Sequence, residues 1–305
     1  MNEFDRLFAI SGLSLDRLRS FLAVAEEGNI AKAAKGDPTR QSQFSRQVKE
    51  LEGFFGIPLT RRVGRRLELT DEGLHLARLI RRHFSDLDDF KTAMAGRPVS
   101  VRLGAAGSVL EWMVLPKLSR CRDALGQVVL DLEQMRSSEL VRAVADGRLD
   151  FGVVREDAVP AEIKRWKLGR VGYALFASKA AWKVGKDMDG VFRKHSFGEL
   201  LSGGQFHERY LALLDHKGWK PQVISRAGSF LLLARMVREE DVAAVLPLSA
   251  RVEFDPKKVQ AEPLSWNYER GMVLIANARS VDRAGIRPGS VKALAAALAW
   301  EGENR

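Results

Sequence analysis

The 305-residue chain contains a single cysteine, Cys121. One thiol closes no disulfide within the chain and supplies no multi-cysteine zinc site. A sulfenic acid on it would find no second thiol to resolve it. Cys121 falls between Leu118 and Leu125 on a predicted helix, where packing is its expected role. No run of about 18 or more apolar residues occurs, so no transmembrane helix is expected. The opening MNEFDRLFAISG is acidic and too short of apolar residues for a signal peptide. A reducing, cytoplasmic setting is the expectation from these features.

Catalytic signatures are also missing. The chain has no Gly-x-Gly-x-x-Gly after a strand, no Walker loop, no His-Glu-x-x-His and no Gly-x-Ser-x-Gly. The histidines, His75, His83, His195, His207 and His216, show no metal-ligand spacing with carboxylates or cysteine. A binding module is therefore expected rather than an enzyme, with no catalytic residue, metal or cofactor. The content of 46% hydrophobic and 29% charged residues suits a soluble globular chain, long enough for more than one core. The net charge of +10 fits a nucleic-acid partner without requiring one. Residues 1–97 hold 17 basic and 14 acidic side chains, so most of the excess lies further on.

The most informative stretch is QSQFSRQVKELE, residues 41–52. Phe44, Val48 and Leu51 fall at i, i+4 and i+7, one stripe of an α-helix. Gln41, Ser45, Arg46 and Lys49 lie off that stripe. These side-chain types hydrogen-bond base edges in a major groove or hold phosphates. A short small-residue helix from Ile30 to Lys35 precedes it, with the turn Gly36-Asp37-Pro38 between them. That order reads as a helix-turn-helix. Upstream, Leu15, Leu18, Phe21, Leu22 and Ala25 mark a helix with one apolar face, capped by Ser14. Downstream, residues 61–70 read as two short strands around Gly64. Four arginines on that hairpin, Arg61, Arg62, Arg65 and Arg66, suit a wing along phosphates or in a minor groove. From Pro38 to Arg66 there are seven basic residues against two acidic ones, so this segment is strongly basic.

The pattern Leu15…Phe21…Ala23-Val24-Ala25…Ala33-Ala34…Gln41-Ser42-Gln43-Phe44-Ser45-Arg46-Gln47-Val48-Lys49-Glu50-Leu51-Glu52…Gly56…Leu59…Arg61…Gly64-Arg65-Arg66…Leu69-Thr70…Gly73 resembles the LysR-type transcriptional regulators. It spans the whole N-terminal domain, and the chain length and later layout agree with it. Two departures stand out. Asp37 and Thr39 replace aliphatic residues usual in the family, and Thr60 replaces Phe. Asp before Pro disfavours helical geometry, so the second helix is expected to stop near Lys35. The resemblance implies double-stranded DNA as partner, with Arg40, Gln41, Ser42, Gln43, Ser45, Arg46, Lys49, Arg61, Arg62, Arg65 and Arg66 as contact residues. It also implies a homodimer or homotetramer, with RNA polymerase as a further partner.

After Thr70, Leu76, Leu79, Ile80, Phe84, Leu87 and Phe90 keep a helical stripe to Met94, and Asp71 and Glu72 favour its N-terminus. The resemblance makes this a linker helix pairing with its twin, burying Leu76, Leu79, Ile80, Phe84 and Leu87. Gly96-Arg97-Pro98 ends it. Residues 1–70 are thus expected to form the winged helix-turn-helix, 71–97 the linker and 98–305 an effector-binding domain.

From Val99 strands and helices alternate, which predicts an α/β domain with a parallel sheet. The expected strands are 99–104, 128–133, 149–154, 173–177, 222–226, 242–246 and 272–276. The expected helices are 108–125, broken near Pro116, then 137–145, 208–216, 229–237 and 290–300. The resemblance arranges them as two subdomains like those of periplasmic solute-binding proteins, about 98–165 with 270–305, and about 166–269. Crossings are expected near 155–171 and 264–271. Ligands in open α/β sheets bind beyond strand carboxyl ends, often at helix N-termini. Ser108, Ser137 with Ser138, and Ser229 with Phe230 occupy such places, with Ser108 as expected N-cap. In the family these positions line a cleft for small effectors, and an anionic effector is expected. Serine also caps helices without any ligand. The acidic turn Arg238-Glu239-Glu240-Asp241 stands where the family often has glycines. The alternative reading is a DNA-binding architectural protein whose C-terminal part oligomerises and takes no effector.

Overall fold

The computed structural model describes residues 5–63, 66–201, 205–265, 268–277, 280, 287 and 289–300. It separates into two compact units. One comprises residues 1–97 with 146–148, the other residues 98–145 with 149–305.

The N-terminal unit begins with a short helix, α1 (Asp5–Phe8). Helix α2 (Leu15–Glu27) starts where the Ser14 side chain accepts the Arg17 N–H. It stops at Gly28, whose left-handed φ of 59° lets its N–H reach Val24 O. Phe21 and Val24 are fully buried, while Leu15, expected on the same face, is exposed. Helix α3 (Ile30–Ala33) is capped by Asn29 and ends before Lys35 and Gly36, both at positive φ. Asp37 then opens α4 (Pro38–Phe55). Its carboxylate accepts the N–H groups of Thr39 and Arg40, and Pro38 takes the first turn, where its missing N–H costs nothing. The departure at Asp37 is thus a helix cap.

Strands β1 (Thr60–Val63) and β2 (Arg66–Leu69) form the antiparallel hairpin. Thr60, the other departure, donates its hydroxyl to Glu52 Oε1, which also accepts the Leu59 and Thr60 N–H groups. A carboxylate at the end of α4 thereby fixes the start of the wing. Helix α5 (Asp71–Met94) follows, capped by Thr70. It crosses the hairpin so closely that a Cβ on Gly73 would lie 2.0 Å from Leu59 O. Phe21, Val24, Val48, Leu51, Leu59, Ala77 and Ile80 make the core. Full burial of each large side chain contributes about 1.5–3 kcal/mol.

The expected stripe on α5 is divided. Ile80 is buried in its own unit, with Leu76 and Phe84 packed on that core. Leu79, Leu87, Phe90 and Met94 are exposed, Met94 at 70%. Two sets of apolar residues leave one helix in different directions.

The C-terminal unit holds a five-stranded sheet in the order β4-β3-β5-β12-β6. Its strands are β3 (Val99–Ala105), β4 (Val128–Gln134), β5 (Phe151–Arg155), β6 (Arg165–Val171) and β12 (Arg270–Ala276). Strands β4 and β5 run parallel to β3. Strand β12 is antiparallel to both β5 and β6, so the sheet is mixed rather than wholly parallel. The reason is topological. The chain leaves this sheet along β6 and returns along β12, in opposite directions. Residues 166–171, expected in the second subdomain, therefore pair within the first sheet.

Between β3 and β4 the helix changes form repeatedly. A single α turn, α6 (Gly107–Val109), passes into a π turn over Leu110–Val114 and a 3-10 turn over Leu115–Lys117, and then α7 (Leu118–Leu125). Pro116, which lacks an N–H, sits in the irregular part. Helix α8 (Ser137–Ala145) joins β4 to β5, and α13 (Ser290–Leu298) packs back on α7.

The second half contains β7 (Tyr173–Ser178), α9 (Lys179–Gly185), α10 (Met188–Lys194), β8 (Ser196–Leu200), α11 (Gln205–Lys217), β9 (Gln222–Ala227), α12 (Phe230–Glu239), β10 (Ala244–Pro247) and β11 (Val259–Pro263). Strand β7 is antiparallel to β10 and β11 on either side, whereas β8 and β9 are parallel. Helices α9 and α10 are each seven residues long, shorter than the window in which a helical period is legible. They touch through glycine, since a Cβ on Gly190 would lie 1.8 Å from Gly185 O.

Candidate nucleic-acid interface and effector cleft

Helix α4 presents a polar face above a buried one. Val48 and Leu51 are buried and Phe44 is half-buried. Arg40, Gln41, Ser42, Gln43, Arg46 and Lys49 are exposed, and Ser45 is half-buried beside them. Arg46 Nε lies 3.6 Å from Glu50 Oε1, and the other oxygen of Glu50 accepts from Arg17. Glu50 thus holds Arg46 at the helix surface while Arg17 ties α2 to α4. On the hairpin, Arg62 is exposed and Arg61 Nη2 lies 3.4 Å from Glu68 Oε2 across the register. Arg65 and the side chain of Arg66 lie outside the described residues. A basic, hydrogen-bonding helix face beside a hairpin of arginines can grip phosphates and read base edges.

In the C-terminal unit, strand register brings distant loops to one edge. Ala105 pairs with both Gln134 and Val153, so β3, β4 and β5 end together. Arg155 closes β5 opposite Met272, and Arg270 opens β12 opposite Val171. The segments carrying Ser108, Ser137, Arg155 and Arg270 therefore share this edge, and Tyr173 begins the crossing to the second half. Ser108 does not cap its helix: Ala106 is the N-cap residue, with no side-chain cap bond. The helix begins at Gly107, so Ser108 lies inside its first turn and not at the position before it. Ser137 is half-buried and Ser138 exposed in the first turn of α8. Ser229 caps α12, accepting the Leu232 N–H at 3.2 Å, which leaves its O–H available to donate.

The side chains meeting at this edge include several absent from the sequence expectations. Phe230 packs edge-on against Phe206 at 5.0 Å, and Phe206 lies 4.8 Å from Tyr173. Tyr173 stacks on Tyr268 at 5.7 Å. The Arg270 guanidinium lies over three of these rings, 5.6 Å from that of Tyr268, and its Nε donates to Tyr268 Oη at 2.9 Å. Gln205 Oε1 accepts from Arg155 at 3.2 Å and from Tyr268 at 3.4 Å. Arg155 also pairs with Asp157 at 3.4 Å. Burial pushes the Tyr173 phenol well above its usual range, and Arg270 opposes that only in part. Tyr173 therefore stays neutral at neutral pH. The arrangement offers two cations, neutral hydroxyls and aromatic walls, a suitable set for a small anion with an apolar body. A compositional signal did exist. The chain has three tyrosines, and all of them, Tyr173, Tyr210 and Tyr268, surround Phe206 or its neighbours.

Cys121 is fully buried, and burial pushes its thiol up to about 11 despite the lowering influence of Lys117. It is an inert packing residue at neutral pH. Among the described residues no cluster of His, Cys, Asp and Glu could hold a metal ion, and no helix is long and apolar enough to cross a membrane.

A winged helix-turn-helix on a long helix, followed by two linked α/β halves, defines a class of bacterial regulators. Residues 15–74 match the family described as bacterial regulatory helix-turn-helix protein, lysR family, and residues 96–289 match the LysR substrate binding domain. The chain belongs to the LysR family. Over 149 residues it is 30% identical to a probable hydrogen peroxide-inducible genes activator of Mycobacterium leprae, covering 48% of this chain and 47% of that protein. It is 32% identical over 158 residues to the HTH-type transcriptional regulator BenM of Acinetobacter baylyi, covering 50% and 51%. The chain spans about half the length of most curated relatives it matches. Full-length CbnR, solved in complex with its target DNA, shares the fold with a TM-score of 0.57 at 19% identity, covering 94% of this chain and 99% of that one.

Proposed function

We propose that this chain is a sequence-specific DNA-binding transcriptional regulator controlled by a small anionic effector. The observation that carries the reading is the exposed row Arg40, Gln41, Ser42, Gln43, Arg46 and Lys49 on a helix whose opposite face is core. Ser45 lies beside the row, Lys49 and the hairpin arginines grip phosphates, and Gln41, Ser42 and Arg46 face bases. CbnR is described on its target DNA, and the same use is proposed for α4. The proposed division is residues 1–70 for DNA, 71–97 for the linker helix and 98–305 for the effector, in a cytoplasmic protein that performs no catalysis.

The effector site is the strand edge, with Arg155, Arg270 and Tyr268 added to Ser108, Ser137, Ser138, Ser229 and Phe230. A ligand with unequal affinity for two arrangements of the α/β halves shifts their populations. Leu79, Leu87, Phe90 and Met94, exposed on α5, form the proposed seam of a homodimer or of a tetramer built from it. A dimer sets two recognition helices on half-sites separated by whole turns of DNA, where contact with RNA polymerase can be regulated. The test is selection of duplexes from a random pool by the full-length protein. A repeated half-site should emerge, and Arg46→Ala should fail to enrich it. Equal enrichment by both proteins would refute the assignment of α4.

A further inference from the structure

Two carboxylates near the end of α4 hold different things. Glu52 accepts the Leu59 and Thr60 N–H groups and the Thr60 hydroxyl, and so serves the backbone that starts the wing. Glu50 meets two arginines. One of its oxygens accepts from Arg17 Nε at 2.5 Å, thirty-three residues away on α2, and the other lies 3.6 Å from Arg46 Nε, one turn back on α4. We propose that Glu50, anchored by Arg17, is a specificity-determining residue that aims Arg46 at a guanine. The proposal rests on the regulator reading above and narrows it to one base position.

Stability does not account for the Arg46 contact. The Arg46 side chain is 73% exposed, and an exposed ion pair contributes little. The pair also runs in the less favourable order along a helix, with arginine N-terminal to glutamate at i,i+4. The anchor is of another kind. The side chains of Arg17 and Glu50 are 30% and 34% exposed, and they join the first turn of α2 to the body of α4. Glu50 is therefore tied to a second helix, and Arg46 meets a carboxylate that is already in place.

The geometry of the guanidinium gives this contact a use. Its five N–H donors lie in one plane. The contact to Glu50 is made at Nε, the inner edge of that plane. The two Nη groups form the outer end, and a pair of donors there matches guanine O6 and N7. Arg46 shares its exposed face with Ser42 and Lys49, at i−4 and i+3. An arginine already oriented loses less freedom on binding than a mobile one. Specificity is a difference of affinities, and the carboxylate adds to it by repulsion. A register that breaks the Arg46 contact leaves a negative charge beside phosphates, a cost that falls on wrong sites.

Duplex selection by the full-length protein, followed by anisotropy titration on selected and random duplexes, tests the proposal. Wild type should select a half-site containing a guanine that Arg46→Ala no longer distinguishes. Glu50→Gln keeps one oxygen for Arg17 and turns an amide NH2 toward Arg46. Discrimination at that guanine should fall about tenfold, as loss of a charged hydrogen-bond partner does. Affinity for random duplex should hold or rise, because a negative charge has left the interface. Arg17 is a positioning residue, so Arg17→Gln should relax the same base position by a smaller factor, and Arg17→Lys should restore part of it. In an Arg46→Ala background neither Glu50→Gln nor Arg17→Gln should change base preference further. Wild-type discrimination in Glu50→Gln, an effect that persists without Arg46, or equal loss on selected and random duplexes in both Glu50→Gln and Arg17→Gln would overturn the proposal. If wild type selects no half-site, the regulator reading falls with it; if wild type selects one and Glu50→Gln keeps the preference, the proposal alone falls.

Discussion

Helix α4 keeps its candidate DNA contacts within the ten residues from Arg40 to Lys49, whereas the strand-edge site draws Arg155 and Arg270 from places more than a hundred residues apart. The difference is one of how each surface is built. A helix converts local spacing into a face, so one short stretch defines both what is buried and what is offered. A sheet edge gathers loops through strand register, which depends on the whole topology.

The comparison breaks most visibly if the two units are not independent. Phe21→Ala removes the most buried ring of the N-terminal core and should cost that unit about 3–5 kcal/mol. Circular dichroism melting should show loss of one transition, with effector affinity kept. A single joint transition would contradict the division. Leu87→Asp sharpens the reading of α5. Leu87 is 57% exposed in the single chain, so the fold should survive while light scattering reports a smaller assembly. An unchanged assembly would place the seam elsewhere.

At the next level of effect, Arg270→Gln removes a guanidinium that spans three aromatic rings. Effector affinity should fall by about one to two orders of magnitude, while DNA affinity without effector stays constant. Asp37→Ala removes a cap that accepts two N–H groups and should lower N-terminal stability by about 1 kcal/mol in chemical denaturation.

The smallest effect concerns Cys121. Its folded thiol is raised from 9.0 to about 11, so the folded state holds the proton more tightly than the unfolded chain. The resulting stability is complete below pH 9.0 and is lost as pH rises toward about 11. Native protein at pH 8 should react with a thiol reagent far more slowly than denatured protein. Equal rates would place Cys121 at an accessible position.

Legibility in the sequence followed the same division. The bounds of α5 and α8 were readable because Thr70, Asp71 and the serines at 137 and 138 mark starts, and a long apolar period supports each body. Which apolar residues stay exposed was not readable. Leu76, Leu79 and Ile80 share one stripe, yet Leu79 is exposed and Ile80 buried, because the width of the core decides where the stripe is cut. Strand β6 was hidden as a crossing because its partner β12 lies about a hundred residues later. Of the strand-edge residues, the serines and Phe230 were named from their loop positions and from the family resemblance, and their role toward an effector is a proposal. Arg155, Gln205, Tyr268 and Arg270 were not named, since nothing local distinguishes an arginine at a strand end from a surface one. Ser108 was read as a cap because serine commonly caps, but the helix begins at Gly107, one residue before it.

The most direct test is a two-by-two measurement on full-length protein. Fluorescence anisotropy with a selected duplex gives DNA affinity, and calorimetry with a panel of small carboxylates gives effector affinity. Arg46→Ala should lose about 1–3 kcal/mol on DNA and nothing on the effector. Arg155→Ala should lose effector affinity and keep ligand-free DNA affinity. If Arg46→Ala bound DNA as wild type does, or Arg155→Ala bound the effector as wild type does, the assignment of two separate sites would be contradicted.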